Sequence, residues 1–403
     1  MDTLIQIYRR LLNEVKPDYY RQFYRNFSMD HRLIGVVGAR GVGKTTFLIQ
    51  YLREHFDTSE KGLYISADNL YFTEHSLLET VDQFVTLYGG ELLCIDEIHK
   101  YKNWNQELKN IYDSYPKLNV IFSGSSSMDL IKGKYDLSRR VILRQMYGFS
   151  FREFLEVQTG YTFSILKLPD IVGSSKQHDA QIGRTEKLLG YLHEYWQKGY
   201  YPTSFALQSH EAFRDTLIGI IDKAVYEDIS TLYNLKTENL DTLKKTIYFF
   251  ATSLPGSVSI NKLANSLDKD HTTISEFVQM LRDTGLLRFL MIDKYGHALV
   301  RNAEKIYLDN TNLLYAINST IGKETHIGSV RELFVISSLE NAGYPVQYSK
   351  IGDIVCEDTV LEIGGASKEN SQIKQKNNAY LVKDDTLYSS FHTIPIYLFG
   401  FLS

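Results

Sequence analysis

The chain has 403 residues, of which 43% are hydrophobic and 23% charged, and its net charge is −4. That length exceeds what one ordinary core organises and predicts two or three domains, while the mix of apolar and charged residues excludes an extended disordered chain. The slightly acidic total argues against strong non-specific binding of nucleic acid, which takes a basic domain or stripe.

No run of eighteen apolar residues occurs, and the first residues, MDTLIQIYRR, lack the apolar stretch of a secretion signal. A cytoplasmic protein with no membrane partner is expected. Cys94 and Cys356 are the two cysteines, too isolated for a disulfide or a zinc site, and Cys94 falls inside an apolar run.

Residues 1–30 read as a helical lead-in, with Leu4, Ile7, Tyr8, Leu11 and Leu12 at helical spacing. An α/β domain is expected over 31–158. It opens with the apolar run Leu33 to Val37, then Gly38-Ala39-Arg40-Gly41-Val42-Gly43-Lys44-Thr45, then a helical pattern from Thr46. This is a complete GxxxxGK[ST] phosphate loop between a strand and a helix. Glycines let the backbone turn tightly and aim N–H groups at phosphate oxygens, and the helix N-terminus adds a favourable dipole. Residues Gly38 to Thr46 are therefore expected to bind a nucleoside triphosphate, with Lys44 on the β- and γ-phosphates and the Thr45 hydroxyl on Mg²⁺. No Asn/Thr-Lys-x-Asp guanine-recognition motif occurs, which favours ATP and ADP as the nucleotides.

Glu91 to Glu97, ELLCIDE, is an apolar run ending in two carboxylates, as expected of a buried parallel strand delivering acids to the C-terminal edge of a sheet. Asp96 is expected to hold Mg²⁺ through water, and Glu97 to orient or deprotonate the water that attacks the γ-phosphate. Asn119 to Ser127 reads as another buried strand ending in glycine and serines. Beyond it, Arg139 and Arg140 precede a short apolar strand. An arginine meeting the γ-phosphate, in cis or from a neighbouring subunit, stabilises the charge of the transition state, which makes Arg140 a catalytic candidate.

The phosphate loop, Ile95–Trp104 (IDEIHKYKNW), Phe122–Leu130 (FSGSSSMDL) and the Arg140–Leu155 stretch with its FSFREFL ending resemble the AAA+ ATPases of bacteria and archaea. More narrowly, they resemble the subgroup whose C-terminal half joins a winged helix to a restriction-endonuclease-like fold. The resemblance implies ATP binding and hydrolysis, and a sheet with helices on both faces. It also implies a polar sensor on the strand beside the acidic one, for which Ser123 and Ser125 are candidates.

Residues 160–185, with Pro169, Gly173 and a Ser-Ser-Lys-Gln-His run, read as loop within a linker or lid over 159–235, followed by helical patterns at Leu188–Trp196 and about Ala212–Ile229. Over 236–310, three helices (Leu240–Ser253, Ile260–Leu267, Thr272–Asp283) and a two-stranded wing (Leu286–Ile292 with Lys305–Leu308) follow the winged helix-turn-helix plan. Between 236 and 294 stand eight Lys and Arg against seven Asp and Glu, so DNA and a protein partner are equally compatible with this module.

The last segment, 311–403, reads as a small, degenerate restriction-endonuclease-like α/β domain. Such nucleases place an Asp on one strand and Glu-x-Lys on the next, so that carboxylates bind a cation and a lysine supports the attacking water. Asp353 and Glu362 match and Glu332 offers a third carboxylate, but the lysine position is Gly364, with Lys368 and Lys374 as distant substitutes. Three functions follow in decreasing order. The first is a Mg²⁺-dependent ATPase that drives or gates rearrangement of the C-terminal module, on DNA or not. The second is a slow ATP-gated regulatory or scaffold protein working through protein contacts or self-association. The third is an ATP-dependent endonuclease.

Overall fold

The computed structural model describes residues 1–15, 19–56, 60–124, 137, 139–207, 209–256, 259–292, 303–369 and 378–403. They divide into two compact units, Met1–Gly148 and Phe149–Ser403. Among the described residues no helix is long and apolar enough to cross a membrane.

In the first unit, helix α1 (Asp2–Glu14) buries Leu4, Tyr8 and Leu12, one residue per turn. After the short α2 (Gln22–Arg25) come β1 (Leu33–Val37), α3 (Lys44–Phe56), β2 (Gly62–Ser66), α4 (Leu77–Tyr88), β3 (Leu92–Asp96), α5 (Trp104–Ser114), β4 (Asn119–Gly124) and β5 (Ile142–Gln145). The five strands are all parallel, in the order β2-β3-β4-β1-β5. Every residue of β1 and β3 is buried, as a strand covered on both faces requires. Right-handed crossovers explain the covering. The step from β1 to β2 runs one way along the sheet, and the steps from β2 to β3 to β4 run back, which puts α3 on one face and α4 with α5 on the other. α3 packs on β2, β3 and β4, and α4 packs on α5, accordingly. A capping box between Ser76 and Glu79 starts α4, and Gly89, at φ 66°, ends it.

The strand order matters for the site. Because β4 lies between β1 and β3, the loop after β1 and the acids at the end of β3 face each other across the end of β4.

The second unit begins with the helix Phe151–Thr159. The stretch expected as loop at 160–185 contains the helix Leu168–Ile182. Pro169 sits in its first turn, where no intrahelical N–H is needed, and the Lys167 N–H donates to Asp170 Oδ2 at 2.8 Å. The glycine and serines that suggested a loop mark a kink at Ser174 (φ −138°, ψ 26°), while buried Leu168, Ile171 and Ile182 hold the helix in place. The helix Leu188–Glu194 runs on into a π turn at Tyr195–Gly199. Asn312, fully buried, satisfies the loosened backbone: its Nδ2 donates to the carbonyls of Tyr195 and Trp196, both at 2.9 Å, and its Oδ1 accepts from Tyr200 N.

Further on stand the helices His210–Lys223, Thr237–Thr252, Ile260–Ser266 and His271–Asp283, then β6 (Leu287–Met291) paired antiparallel with β7 (Ala303–Leu308). The helices Thr311–Thr320 and Ile327–Asn341 lead to a second sheet of β8 (Val346–Tyr348), β9 (Ile354–Cys356), β10 (Thr359–Gly364), β11 (Ala379–Lys383) and β12 (Thr393–Pro395). Its order is β12-β11-β10-β9-β8, antiparallel from β8 to β10 and parallel from β10 to β12. The helix Ile327–Asn341 packs on β8 and β10.

Candidate functional site

The loop between β1 and α3 turns on glycines that no other residue replaces without strain. Gly41 and Gly43 have φ of 82° and 98°, and a Cβ on Gly38 would stand 2.1 Å from the Met146 carbonyl oxygen. A bond from Phe47 N to the Gly43 carbonyl joins the loop to the first turn of α3, so the helix starts directly from the loop. Lys44 is only 5% exposed, and its ammonium donates to the Gly38 and Ala39 carbonyls at 2.9 Å each. Arg21, in the segment before β1, braces the loop from outside by donating to the Val42 carbonyl at 2.9 Å and to those of Tyr147 and Gly148.

Asp96, at the end of β3, is 3% exposed and fully engaged. Its Oδ2 accepts from Thr45 Oγ1 at 2.5 Å and from the Tyr64 hydroxyl at 2.9 Å, while its Oδ1 accepts from Ser123 Oγ. Tyr64 lies on β2, and burial first, then the charge of Asp96, push its phenol well above the ordinary range, so it remains a neutral donor. Tyr64→Phe deletes a buried donor to a carboxylate and should lower the unfolding free energy of the first unit by about 1.5–3 kcal/mol, read by denaturant titration.

Glu97 takes a left-handed conformation, φ 51° and ψ 40°, uncommon for a residue with a Cβ. Its N–H donates to Ser123 Oγ at 3.1 Å, so Ser123 on β4 ties together both acids of β3. The Glu97 carboxylate points back toward the loop. Its Oε2 lies 3.7 Å from Arg40 Nη1 and 3.5 Å from His99 Nε2.

Lys44, Thr45, Asp96, Glu97 and Ser123 thus come together at one end of the sheet, with Arg40 beside them. Ser125 lies outside the described residues. Arg140 goes elsewhere. It precedes β5, whose register pairs Ile142 with Ile34, so it stands level with position 32; the rise from there to Gly38 is roughly 20 Å at about 3.3 Å per residue. Its guanidinium grips Asp113, near the end of α5, through Nε to Oδ1 at 2.9 Å and Nη2 to Oδ2 at 3.1 Å. Tyr64 and Arg21 were missed from sequence; a hydroxyl inside the apolar run GLYIS is the one signal that marked Tyr64.

This donor set fits a nucleotide with a cation. A buried ammonium resting on loop carbonyls can transfer to phosphate oxygens, and a threonine hydroxyl against a carboxylate is the pairing expected beside Mg²⁺.

The tail candidates do not assemble in the same way. Glu332 Oε2 and Asp353 Oδ1 both meet Lys305 Nζ, at 2.7 and 3.4 Å, and Glu362 Oε1 meets Lys368 Nζ at 2.5 Å. Lys374 lies outside the described residues. Among the described residues, the carboxylate and histidine group whose ligand atoms all lie within 4.8 Å of one another is instead His193, Asp384 and Asp385. Ammonium groups thus stand among Glu332, Asp353 and Glu362 in this structure.

Comparison with known proteins agrees with the first unit. Residues 30–155 match the model of an AAA domain, and residues 189–324 match a domain of unknown function (DUF8612). An uncharacterized protein, MJ1637 of Methanocaldococcus jannaschii, is 27% identical over 372 residues, spanning 85% of this chain and 77% of that protein. Among solved structures, AMPPCP-bound DnaA from Aquifex aeolicus overlaps 68% of this chain and 86% of its own at 19% identity and a TM-score of 0.29. The Hsp104–ADP complex of S. cerevisiae overlaps 70% of this chain and 41% of its own at 13% identity and a TM-score of 0.30. The assignment rests on the sequence match together with the site geometry: over residues 30–155 the chain matches an AAA domain and folds as the parallel α/β sheet of a P-loop nucleoside triphosphatase.

Proposed function

We propose that this chain is a cytoplasmic ATPase that binds ATP with Mg²⁺ on Gly38 to Thr46, hydrolyses it with Glu97, and releases ADP, using the cycle to drive or gate rearrangement of residues 149–403. The observation that carries this reading is the meeting of Thr45 with Asp96 at 2.5 Å beside a buried Lys44. Lys44 exchanges the Gly38 and Ala39 carbonyls for phosphate oxygens, and the N–H groups at the start of α3 and the φ-positive glycines cradle the rest. Thr45 and Asp96 would hold the cation, which would neutralise charge building on the phosphates. Glu97 orients the attacking water and accepts its proton, with Ser123 fixing the backbone from which that carboxylate springs.

Slow turnover is favoured by one further observation. Arg40 Nη1 and His99 Nε2 stand 3.7 and 3.5 Å from Glu97 Oε2, close enough to restrain that carboxylate, which suits an ATP-gated regulatory or scaffold protein. The module at 236–310 has the helix order of a winged helix, and several of its cations are engaged within the chain. Arg282 lies 4.8 Å over the Phe289 ring, Lys269 pairs with Glu238 and Lys244 with Asp222, which supports a protein partner over DNA. Arg140 acts on a phosphate only in a self-associated form. The endonuclease reading has the least support, because Lys305 bridges Glu332 and Asp353, two of the three acids it needs for a cation.

Steady-state ATP hydrolysis, with and without duplex DNA, tests these readings. Lys44→Ala removes two charge-assisted hydrogen bonds to phosphate, at about 1.5–3 kcal/mol each, and should weaken ATP binding by roughly 10²-fold or more. Undiminished binding and turnover in this variant would sink the site assignment. Stimulation by DNA that fades with salt would overturn the preference for a protein partner.

A further inference from the structure

The acids of the tail are where sequence spacing asks for a divalent cation, and the structure answers that request with two lysines. Lys368 is the first. Its N–H closes a turn on the Gly365 carbonyl at 3.0 Å, which folds the side chain back over Gly364. A Cβ on Gly364 would stand 2.6 Å from Lys368 Cβ and Cγ, so the stem of Lys368 fills the space a side chain at 364 would take. Its ammonium then reaches Glu362 Oε1 at 2.5 Å. Glu362 is 1% exposed, and its Oε2 is buried without a hydrogen-bond partner. Burial, with the charges of Asp353 and Glu332 adding to it, pushes this carboxyl up, and the Lys368 contact opposes that push.

Lys305 is the second, and it comes from β7, outside the tail sheet. Its ammonium bridges Glu332 on the helix Ile327–Asn341 and Asp353 just before β9, and the Tyr307 hydroxyl, two residues along the same strand, donates to Glu332 Oε2. Asp353 is fixed in turn, its Oδ2 accepting from Ile363 N at 2.8 Å. Burial works against the charge of Lys305, but Glu332 and Asp353 outweigh it, so the ammonium persists.

We propose that Lys305 and Lys368 replace a divalent cation among Glu332, Asp353 and Glu362, turning this cluster into a latch that fastens the β6–β7 ribbon to the tail sheet. An ammonium neutralises carboxylates as a metal does, but it is covalently part of the chain and spends its charge on holding two elements together. The latch closes the cluster to metal, because a cation between Glu332 and Asp353 would have to displace Lys305 and leave that charge buried without its partners. Removing Lys305 has two consequences. The ribbon loses its hold, and three acids are left with one lysine, an arrangement that takes up a divalent cation.

The test uses the full-length, nucleotide-free protein and counts bound Mn²⁺ by electron paramagnetic resonance titration. The phosphate-loop site is the same in every variant and cancels in the comparison. Lys305→Met should bind one Mn²⁺ per chain more than the parent, and Lys305→Met combined with Glu362→Gln should lose it again. In the parent, Glu362→Gln should leave the Mn²⁺ count unchanged. Amide hydrogen exchange along β6 and β7 should quicken by about tenfold in Lys305→Met. A parent that loses one Mn²⁺ on Glu362→Gln already holds a metal there and overturns the proposal, as does a Lys305→Met variant that gains none. Should Lys305→Met fail to fold, the Glu362→Gln comparison in the parent decides alone.

Discussion

Replacing Glu97 with glutamine should leave ATP affinity close to that of the parent and lower steady-state turnover by about 10²–10⁴-fold, the usual contribution of a positioned general base. The substitution keeps the shape, the backbone N–H bond to Ser123 and the left-handed conformation at φ 51°, which glutamine tolerates as well as glutamate does. It removes only the ability to take a proton and the negative charge that Arg40 and His99 face. In the proposed reading binding rests on Lys44, Thr45 and the loop backbone, and Arg40 is the loop residue whose contact with the Glu97 carboxylate glutamine weakens. Fluorescent-nucleotide titration and phosphate release, measured on one preparation, separate the two effects. Turnover near the parental rate would take Glu97 out of the chemistry, and lost binding would mean that its charge holds the loop. Arg40→Ala divides the two functional readings further: faster turnover identifies Arg40 as a restraint on Glu97, and slower turnover as a phosphate ligand.

What was legible in the sequence follows the distance over which the physics acts. A phosphate loop is written locally, because the glycines, the lysine and the helix start that it needs are consecutive; Gly38 to Thr45 could be read directly, and the acids ending β3 only slightly less so. The role of Tyr64 was not legible, beyond a hydroxyl within an apolar run, because its partner Asp96 lies 32 residues away on a neighbouring strand, and no single-chain pattern gives strand order. Arg21 escaped for the same reason, reaching carbonyls up to 127 residues distant. Whether Arg140 could meet a phosphate within its own chain was not legible, because strand register, not proximity in sequence to a strand, decides which end of the sheet a residue occupies. The helix Leu168–Ile182 was hidden by turn-forming residues whose local preference is overridden by the burial of Leu168, Ile171 and Ile182. In the tail, the Glu-x-Lys spacing meets Gly364, and of the two substitutes offered in sequence, Lys368 is carried to Glu362 by a turn at Gly365 that no spacing rule foretells.

The largest loss of stability is expected at Arg288 rather than at the phosphate loop. Arg288, on β6, has a side chain only 10% exposed, and every direction of its guanidinium is used. Nε donates to the Asp309 carbonyl at 2.6 Å, Nη2 to Asp309 Oδ1 at 2.7 Å and Asn341 Oδ1 at 2.9 Å, and Nη1 to Glu340 Oε2 at 2.7 Å. Burial opposes its charge, yet Asp309 and Glu340 outweigh burial and hold it more firmly protonated than usual. It therefore pins β6 to the residue that follows β7 and to the end of the helix Ile327–Asn341, as Lys305 pins β7. Arg288→Leu leaves Asp309, itself 9% exposed, and Glu340 without their cation, a loss of about 3–5 kcal/mol for a broken buried pair. For a unit of this size that is roughly 10 °C in melting temperature. Lysine at 288 restores the charge but not the planar fork, and should recover only part of the loss. The triple variant with Asp309→Asn and Glu340→Gln separates charge from packing: if unpaired acids cause the loss, removing their charges returns a good part of it, whereas a triple variant no more stable than Arg288→Leu would assign the cost to the lost stem and its hydrogen bonds. Scanning calorimetry on the four proteins reads each term against the parent.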